Sequence, residues 1–241
     1  MKHGPIYVIT DTTVQNRFTH AELTAAVLAG GAGVVQLRMK PAVGVAPAMS
    51  ATPATSATAA PPATTATAGA PATRELVDTA RVCAALCRRA RVPFLVNDRV
   101  DVAWAADADG VHLGDDDLPL QSARHLLGPH RILGASADSI DDVLARAREG
   151  ADYCGIGPVF PTSTKTDTGP VLGLDGLAAV VAASPIPLVA IGGITLDRIA
   201  DVARTGVAAV AIVSAICAAD SPEAATREAN GLWRSAVGGA R

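Results

Sequence analysis

Eight times along the chain, a short run rich in Val, Ile and Leu is followed by a longer stretch in which Ala, Leu and Arg recur at helical spacing. This alternation constrains the fold more than any other feature, because repeated strand-then-helix patterns specify βα units around a parallel sheet. Strands are expected at Ile6–Thr10, Val34–Arg38, Pro93–Asn97, Gly110–Leu113, Ile132–Ala135, Tyr153–Gly157, Pro187–Ile191 and Ala208–Val213. Eight units in little more than 200 residues suit a closed (β/α)8 TIM barrel better than an open doubly wound sheet. The chain is therefore read as α/β, a single domain spanning residues 1–241.

One segment departs from the rhythm. Pro41 to Thr73 carries no charge, and of its 33 residues 13 are Ala, 7 Thr and 6 Pro. Such a stretch cannot bury a core and is expected to be a disordered insertion after the second strand, leaving a barrel of 208 residues. Outside it, the longest runs free of charge and proline, Leu23 to Leu37 and Gly206 to Ala219, fall short of a bilayer span. Ile6 to Ile9 is too short for a secretory core, so a cytoplasmic protein with no membrane partner is expected. A net charge of -3 gives no general attraction to nucleic acid. Cys83, Cys87, Cys154 and Cys217 form no CxxC pair and read as small buried thiols.

In a barrel of this kind the active site is built at the C-terminal ends of the strands, so the residues just beyond each strand form a parts list. Here they are Thr10 and Asp11; Gln36, Arg38 and Lys40; Asn97 and Asp98; His112 with Asp115, Asp116 and Asp117; Ser136; the loop from Pro158 to Leu172; Gly192 and Gly193; and Ser214. The glycine pair after strand seven and Ser214 after strand eight stand where many barrels bind phosphate, although two glycines also make a tight turn. Of the 20 basic residues only Lys2, Lys40 and Lys165 are lysines, and the last two fall in strand-end loops. With Arg38 they could offset a phosphate or diphosphate, although loops attract charge in any case. Asp98 and one of Asp115, Asp116 and Asp117 come from neighbouring strands and could share Mg²⁺, which takes one or two carboxylates and completes its shell with water and phosphate oxygens. The alternatives are a helix cap at Asp98 and a solvated acidic turn before Pro119.

The blocks YVITD, VQLRMK, FLVNDRVDVAWAADADGVHLGDDDLPL, LGASADS, YCGIGPVFPTSTKTDT and PLVAIGGIT, in this order and spacing, resemble the thiamine phosphate synthase family over essentially the whole chain except Pro41 to Thr73. The resemblance implies a transferase of thiamine biosynthesis that joins hydroxymethylpyrimidine diphosphate to a thiazole phosphate, or its carboxylated form, and releases pyrophosphate. It also implies that Gln36, Arg38, Lys40, Asn97, Ser136 and Lys165 contact the pyrimidine diphosphate, and that Asp98 and Asp117 hold Mg²⁺. Thr162, Thr164, Gly193, Val213 and Ser214 would hold the thiazole phosphate. Arg38, Lys40, Ser136 and Lys165 would carry the chemistry, which in the family is understood to be dissociative and needs no nucleophilic side chain. His112 accordingly reads as a rim or core imidazole.

Two departures from the family pattern stand out. Asp115 replaces a frequent Gln, leaving the ligating carboxylate open, and the insertion follows Lys40 directly. Competing readings are a metal-free isomerase of a thiazole phosphate and a phosphate-ligand sensor on a catalytically dead barrel. The joint presence of Arg38, Lys40, Asn97, Asp98, Asp117 and Lys165 argues for the transferase. Nothing in the pattern fixes the oligomeric state, and a homo-oligomer is compatible with it.

Overall fold

The structure is a computed structural model that describes residues 4–40, 71–162 and 169–238. Eight parallel strands close in sequence order, each hydrogen-bonded to the next and the last to the first. They are β1 (Ile6–Thr10), β2 (Val34–Leu37), β3 (Phe94–Asn97), β4 (Gly110–Leu113), β5 (Ile132–Ala137), β6 (Tyr153–Ile156), β7 (Leu188–Ala190) and β8 (Ala209–Ile212). The surrounding helices are α1 (His20–Ala29), α2 (Thr73–Ala90), α3 (Val100–Ala105), α4 (Leu120–Leu127), α5 (Ile140–Arg148), α6 (Gly173–Ala183), α7 (Ile199–Arg204), α8 (Ser214–Cys217) and α9 (Pro222–Gly238). The expected (β/α)8 barrel is the one observed.

The strands are buried on both faces, which is why they read as near-continuous aliphatic runs: all five residues of β1 and all four of β2, β6 and β8 are buried. One face packs beneath the helices, where Val8, Val35, Val96, Val111, Leu133 and Ile156 join the main core. The other face fills a second, smaller core with Tyr7, Ile9, Val34, Leu95, Tyr153 and Val189. Helix starts follow local chemistry. Thr19 accepts from the Glu22 backbone while the Glu22 carboxylate accepts from Thr19, a reciprocal cap that opens α1. Ser139 caps α5 by accepting from the Asp142 N–H.

Several boundaries differ from expectation. β5 runs two residues further than expected, because Ser136 pairs with Gly155 and Ala137 with Ile156 on β6. Ser136 is thereby fixed within a strand instead of lying on a loop. β7 is shorter, starting after Pro187, which has no N–H to give a ladder. Of the stretch expected to be disordered, residues 41–70 lie outside the described residues, Pro71 and Ala72 precede α2, and Thr73 is its first helical residue. Among the described residues, no helix is long and apolar enough to cross a membrane. All four cysteines are free and buried.

Candidate active site

Sequence reasoning placed the site at the C-terminal rim of the strands, and the described candidates meet there. Arg38 follows β2 directly, its backbone N–H donating to the Thr10 carbonyl at 3.1 Å. Its guanidinium pairs with Asp11, a fully buried carboxylate at the end of β1. Asp11 is itself held by the Thr13 N–H at 2.8 Å and the Thr13 hydroxyl at 2.6 Å. A buried charge needs such partners, and here they fix the direction of Arg38 at the rim.

Lys40, two residues on, places Nζ 3.0 Å from Asp98 Oδ2. Asp98 sits just past β3 with a φ of 65°, in the left-handed region, and its N–H donates to the His112 carbonyl on β4 at 2.8 Å. Aspartate tolerates that conformation better than most residues, and the position is no helix cap: Arg99 is the N-cap of α3, without a side-chain bond.

The three aspartates after β4 separate cleanly. Asp115 is largely exposed and pairs outward with Arg146 of α5, and Asp116 is exposed. Asp117 turns inward, its Oδ2 accepting from the Gly114 N–H at 2.7 Å. Burial, and after it the neighbouring Asp98 carboxylate, pushes the Asp117 carboxyl up from the usual range, against the pull of the Gly114 N–H and Lys40. Asp98 and Asp117 therefore face one another with Lys40 beside them. This resolves, in favour of Asp117, which carboxylate approaches Asp98. Two facing carboxylates that repel are a donor set suited to Mg²⁺, whose other positions go to water and phosphate oxygens.

On the far side of the mouth, Gly192 and Gly193 follow β7 with φ of 95° and 63°. A side chain at Gly192 would come within 2.7 Å of the Pro158 Cα, and one at Gly193 would overlap the Pro161 carbonyl. The pair therefore makes a tight turn and also lets the β6 loop lie directly on the β7 end. Val159 and Phe160 donate to Ile191 and Gly192, and Leu172 and Gly173 close the loop back on Pro158 and Val159. The Gly193 carbonyl accepts from Arg198 at 2.6 Å, and that guanidinium lies over the Phe160 ring. Val213 and Ser214 stand at the end of the adjacent strand β8, where Ser214 begins α8. Thr162 is at the edge of the described part of the β6 loop, whereas Thr164 and Lys165 lie outside the described residues.

Deeper in the mouth are Gln36, 2% exposed, and, half-buried, Asn97, His112 and Ser136. Asn97 pairs in register with His112. His112 lies half-buried on β4, with Nε2 3.2 Å from the Ser136 hydroxyl and Nδ1 3.0 Å from the Tyr153 phenol. Sequence reasoning missed three residues that position this set, Arg198, Tyr7 and Tyr153, and gave Asp11 no role beyond its place at a strand end. A signal existed for Tyr7 and Tyr153, since they are the only tyrosines of the chain and both lie in strands.

The model of the family described as thiamine monophosphate synthase matches residues 6–216. A thiamine-phosphate synthase of Chloroflexus aurantiacus is 42% identical over 227 residues, covering 94% of this chain and 91% of that one. That of Myxococcus xanthus is 44% identical over 228 residues, covering 94% and 91%. Among solved structures, a thiamine phosphate pyrophosphorylase from Pyrococcus furiosus superposes with a TM-score of 0.75 at 34% identity, covering 97% of this chain and 96% of that one.

Proposed function

The chain belongs to the thiamine monophosphate synthase family, and from that premise we propose that it transfers a pyrimidinylmethyl group, joining hydroxymethylpyrimidine diphosphate to a thiazole phosphate to give thiamine phosphate and pyrophosphate. The observation that carries this reading is the convergence of Arg38, Lys40, Asp98 and Asp117 on one side of the mouth. A diphosphate needs such a set, and an isomerase acting on a thiazole monophosphate does not.

In this reading the methylene–oxygen bond breaks, its electron pair leaves with pyrophosphate, and the thiazole nitrogen forms the new carbon–nitrogen bond. The aminopyrimidine ring spreads the positive charge left on the methylene. Arg38, directed by Asp11, together with Lys40 and Lys165, offsets charge building on the departing diphosphate. Arg38 and Lys40 act here at little reorganisation cost, because their counter-charges, Asp11 and Asp98, are already in place. Asp98 and Asp117 would hold Mg²⁺, which supplies further charge stabilisation to the leaving group. Gln36, Asn97 and Ser136 grip the pyrimidine from the barrel floor. The thiazole phosphate is assigned to the opposite rim, with Thr162, Thr164, Gly193, Val213 and Ser214. The opposed placement sets the two reacting atoms near the barrel axis, where holding them together replaces a bimolecular encounter. We place this work in the cytoplasm, a setting supported by four free buried thiols.

Turnover measured across a Mg²⁺ titration tests the metal assignment. Excess chelator should abolish product while circular dichroism stays unchanged. Asp98→Ala should lower turnover by about 10²- to 10³-fold, while Asp115→Ala, which removes an exposed partner of Arg146, should change it by no more than about twofold. Undiminished product in chelator would overturn the metal assignment.

A further inference from the structure

The two tyrosines meet inside the barrel. Tyr7 comes from β1 and Tyr153 from β6, with phenol oxygens 2.8 Å apart and ring centroids separated by 6.0 Å. The contact extends both ways. Gln36 Nε2 donates to the Tyr7 hydroxyl at 3.0 Å, and the Tyr153 hydroxyl lies 3.0 Å from His112 Nδ1, whose Nε2 is 3.2 Å from Ser136 Oγ. Five side chains from β2, β1, β6, β4 and β5 thus form one hydrogen-bonded chain across the interior. Its two ends, Gln36 and Ser136, are residues assigned above to the pyrimidine. Glycine makes the room: a Cβ at Gly134 would overlap the Tyr153 phenol, and one at Gly155 would sit 3.2 Å from His112 Cε1.

Counting hydrogens gives the chain a direction. Each phenol has one, and burial pushes both phenol pKa values up, so neither gives it away. With Gln36 Nε2 donating to Tyr7, Tyr7 donates to Tyr153 and Tyr153 donates to His112 Nδ1. The neutral imidazole then carries its hydrogen on Nε2 and donates to Ser136. Ser136 keeps its own hydrogen for a ligand, and Gln36 keeps its amide oxygen as an acceptor. Turning the Gln36 amide over reverses every link, and Ser136 would then spend its hydrogen on His112 and offer only a lone pair. An acceptor at Gln36 therefore goes with a donor at Ser136.

We propose that Tyr153 is a positioning residue that couples Gln36 to Ser136 through this chain and so makes the site select a pyrimidine bearing an exocyclic amino group over its oxo analogue. This inference rests on the substrate reading given above. An amino group donates to the Gln36 oxygen while Ser136 donates to an acceptor elsewhere on the same molecule. An oxo group presents an acceptor to Gln36, and meeting it requires the amide to turn, which withdraws the donor at Ser136. The analogue loses a hydrogen bond far from the atom at which it differs.

Tyr153→Phe keeps the ring in the Gly134 recess and cuts the chain by one hydroxyl. The measurement is the equilibrium affinity of the full chain, with Mg²⁺ and without thiazole, for the aminopyrimidine diphosphate and for its oxo analogue, by titration calorimetry. The ratio of the two dissociation constants should narrow by about tenfold in Tyr153→Phe, the scale of one hydrogen bond. Ser136→Ala should also weaken aminopyrimidine binding less in the Tyr153→Phe background than alone, the non-additivity expected of linked residues. A lost hydroxyl with only a packing role would move neither quantity. An unchanged ratio with additive substitutions overturns the proposal. If Tyr153→Phe does not fold, Tyr7→Phe cuts the same chain one link earlier and is held to the same outcomes. Binding of neither pyrimidine by the unaltered protein would overturn the substrate reading instead, so the two failures are distinguishable.

Discussion

Asp11 and Asp98 show how single residues at the rim are fixed by neighbours that sequence order does not reveal. Asp11 reads as one more strand-end polar residue, yet it is fully buried and directs Arg38. Its importance depends on the pairing of β1 with β2, which sets the Asp11 carboxylate beside the Arg38 guanidinium. Asp98 and Lys40 were legible as a carboxylate and a cation at strand ends, but not as a 3.0 Å pair. The choice of Asp117 over Asp115 and Asp116 rested on the family resemblance alone, because its physical basis, Arg146 drawing Asp115 outward from a different helix, is not visible in sequence order. His20 adds a pH dependence at this scale. Its ring lies between Thr10 and Thr12, with Nδ1 3.1 Å from the Thr10 hydroxyl, and burial lowers its pKa from 6.5 to about 4 against the pull of Asp11. The unfolded chain therefore binds a proton that the folded chain refuses between these values, and stability falls as pH drops through that window. Between about pH 7 and pH 5 the wild type should lose on the order of 2 kcal/mol more than His20→Gln, from the free energy of 1.36 kcal/mol per pKa unit. Urea midpoints at the two pH values measure this, and equal losses in both proteins would contradict the buried neutral imidazole.

At the scale of elements, all eight strands could be located from aliphatic runs to within one or two residues, because burial on both faces leaves a strong signal. What the runs concealed was the division of labour between faces. Gly110, Gly134 and Gly155 look like weak points in strands, where glycine lacks a side chain to pack. Gly134 and Gly155 are instead the spaces into which Tyr153 and His112 fit. Gly134→Ala should therefore cost about 1–3 kcal/mol by overpacking. Gly231→Ala, in the middle of α9 with nothing near the added carbon, should add roughly 0.5–1 kcal/mol through helix propensity. Thermal denaturation separates the two, and a Gly134→Ala protein as stable as wild type would show that the tyrosine pair does not need that recess. The β6 loop belongs to the same scale. Its start is pinned to the end of β7 by Val159 and Phe160, and Leu172 and Gly173 close its end back on Pro158 and Val159, so the glycine pair read as a phosphate turn is also the loop's foundation.

For the molecule as a whole, the fold class followed from a count of eight βα units, and the family from six separated blocks. Both are properties of sequence order. Some links of the interior hydrogen-bonded chain, such as His112 to Ser136, join consecutive strands, whereas Tyr7 to Tyr153 joins β1 to β6, 146 residues apart, and that contact is made only across the closed barrel. The low aromatic content takes on meaning at this scale: in a barrel lined by branched aliphatics, the only two tyrosines stand together beneath the proposed pyrimidine site. This rim is proposed to break a carbon–oxygen bond to diphosphate and make a carbon–nitrogen bond to thiazole. Phosphorus NMR of the purified protein with hydroxymethylpyrimidine diphosphate, each thiazole phosphate and Mg²⁺ tests it most directly. Thiamine phosphate and pyrophosphate should appear in equal amounts as the diphosphate signals disappear. Rearrangement of a thiazole phosphate with the pyrimidine diphosphate left intact would contradict the account and favour an isomerase.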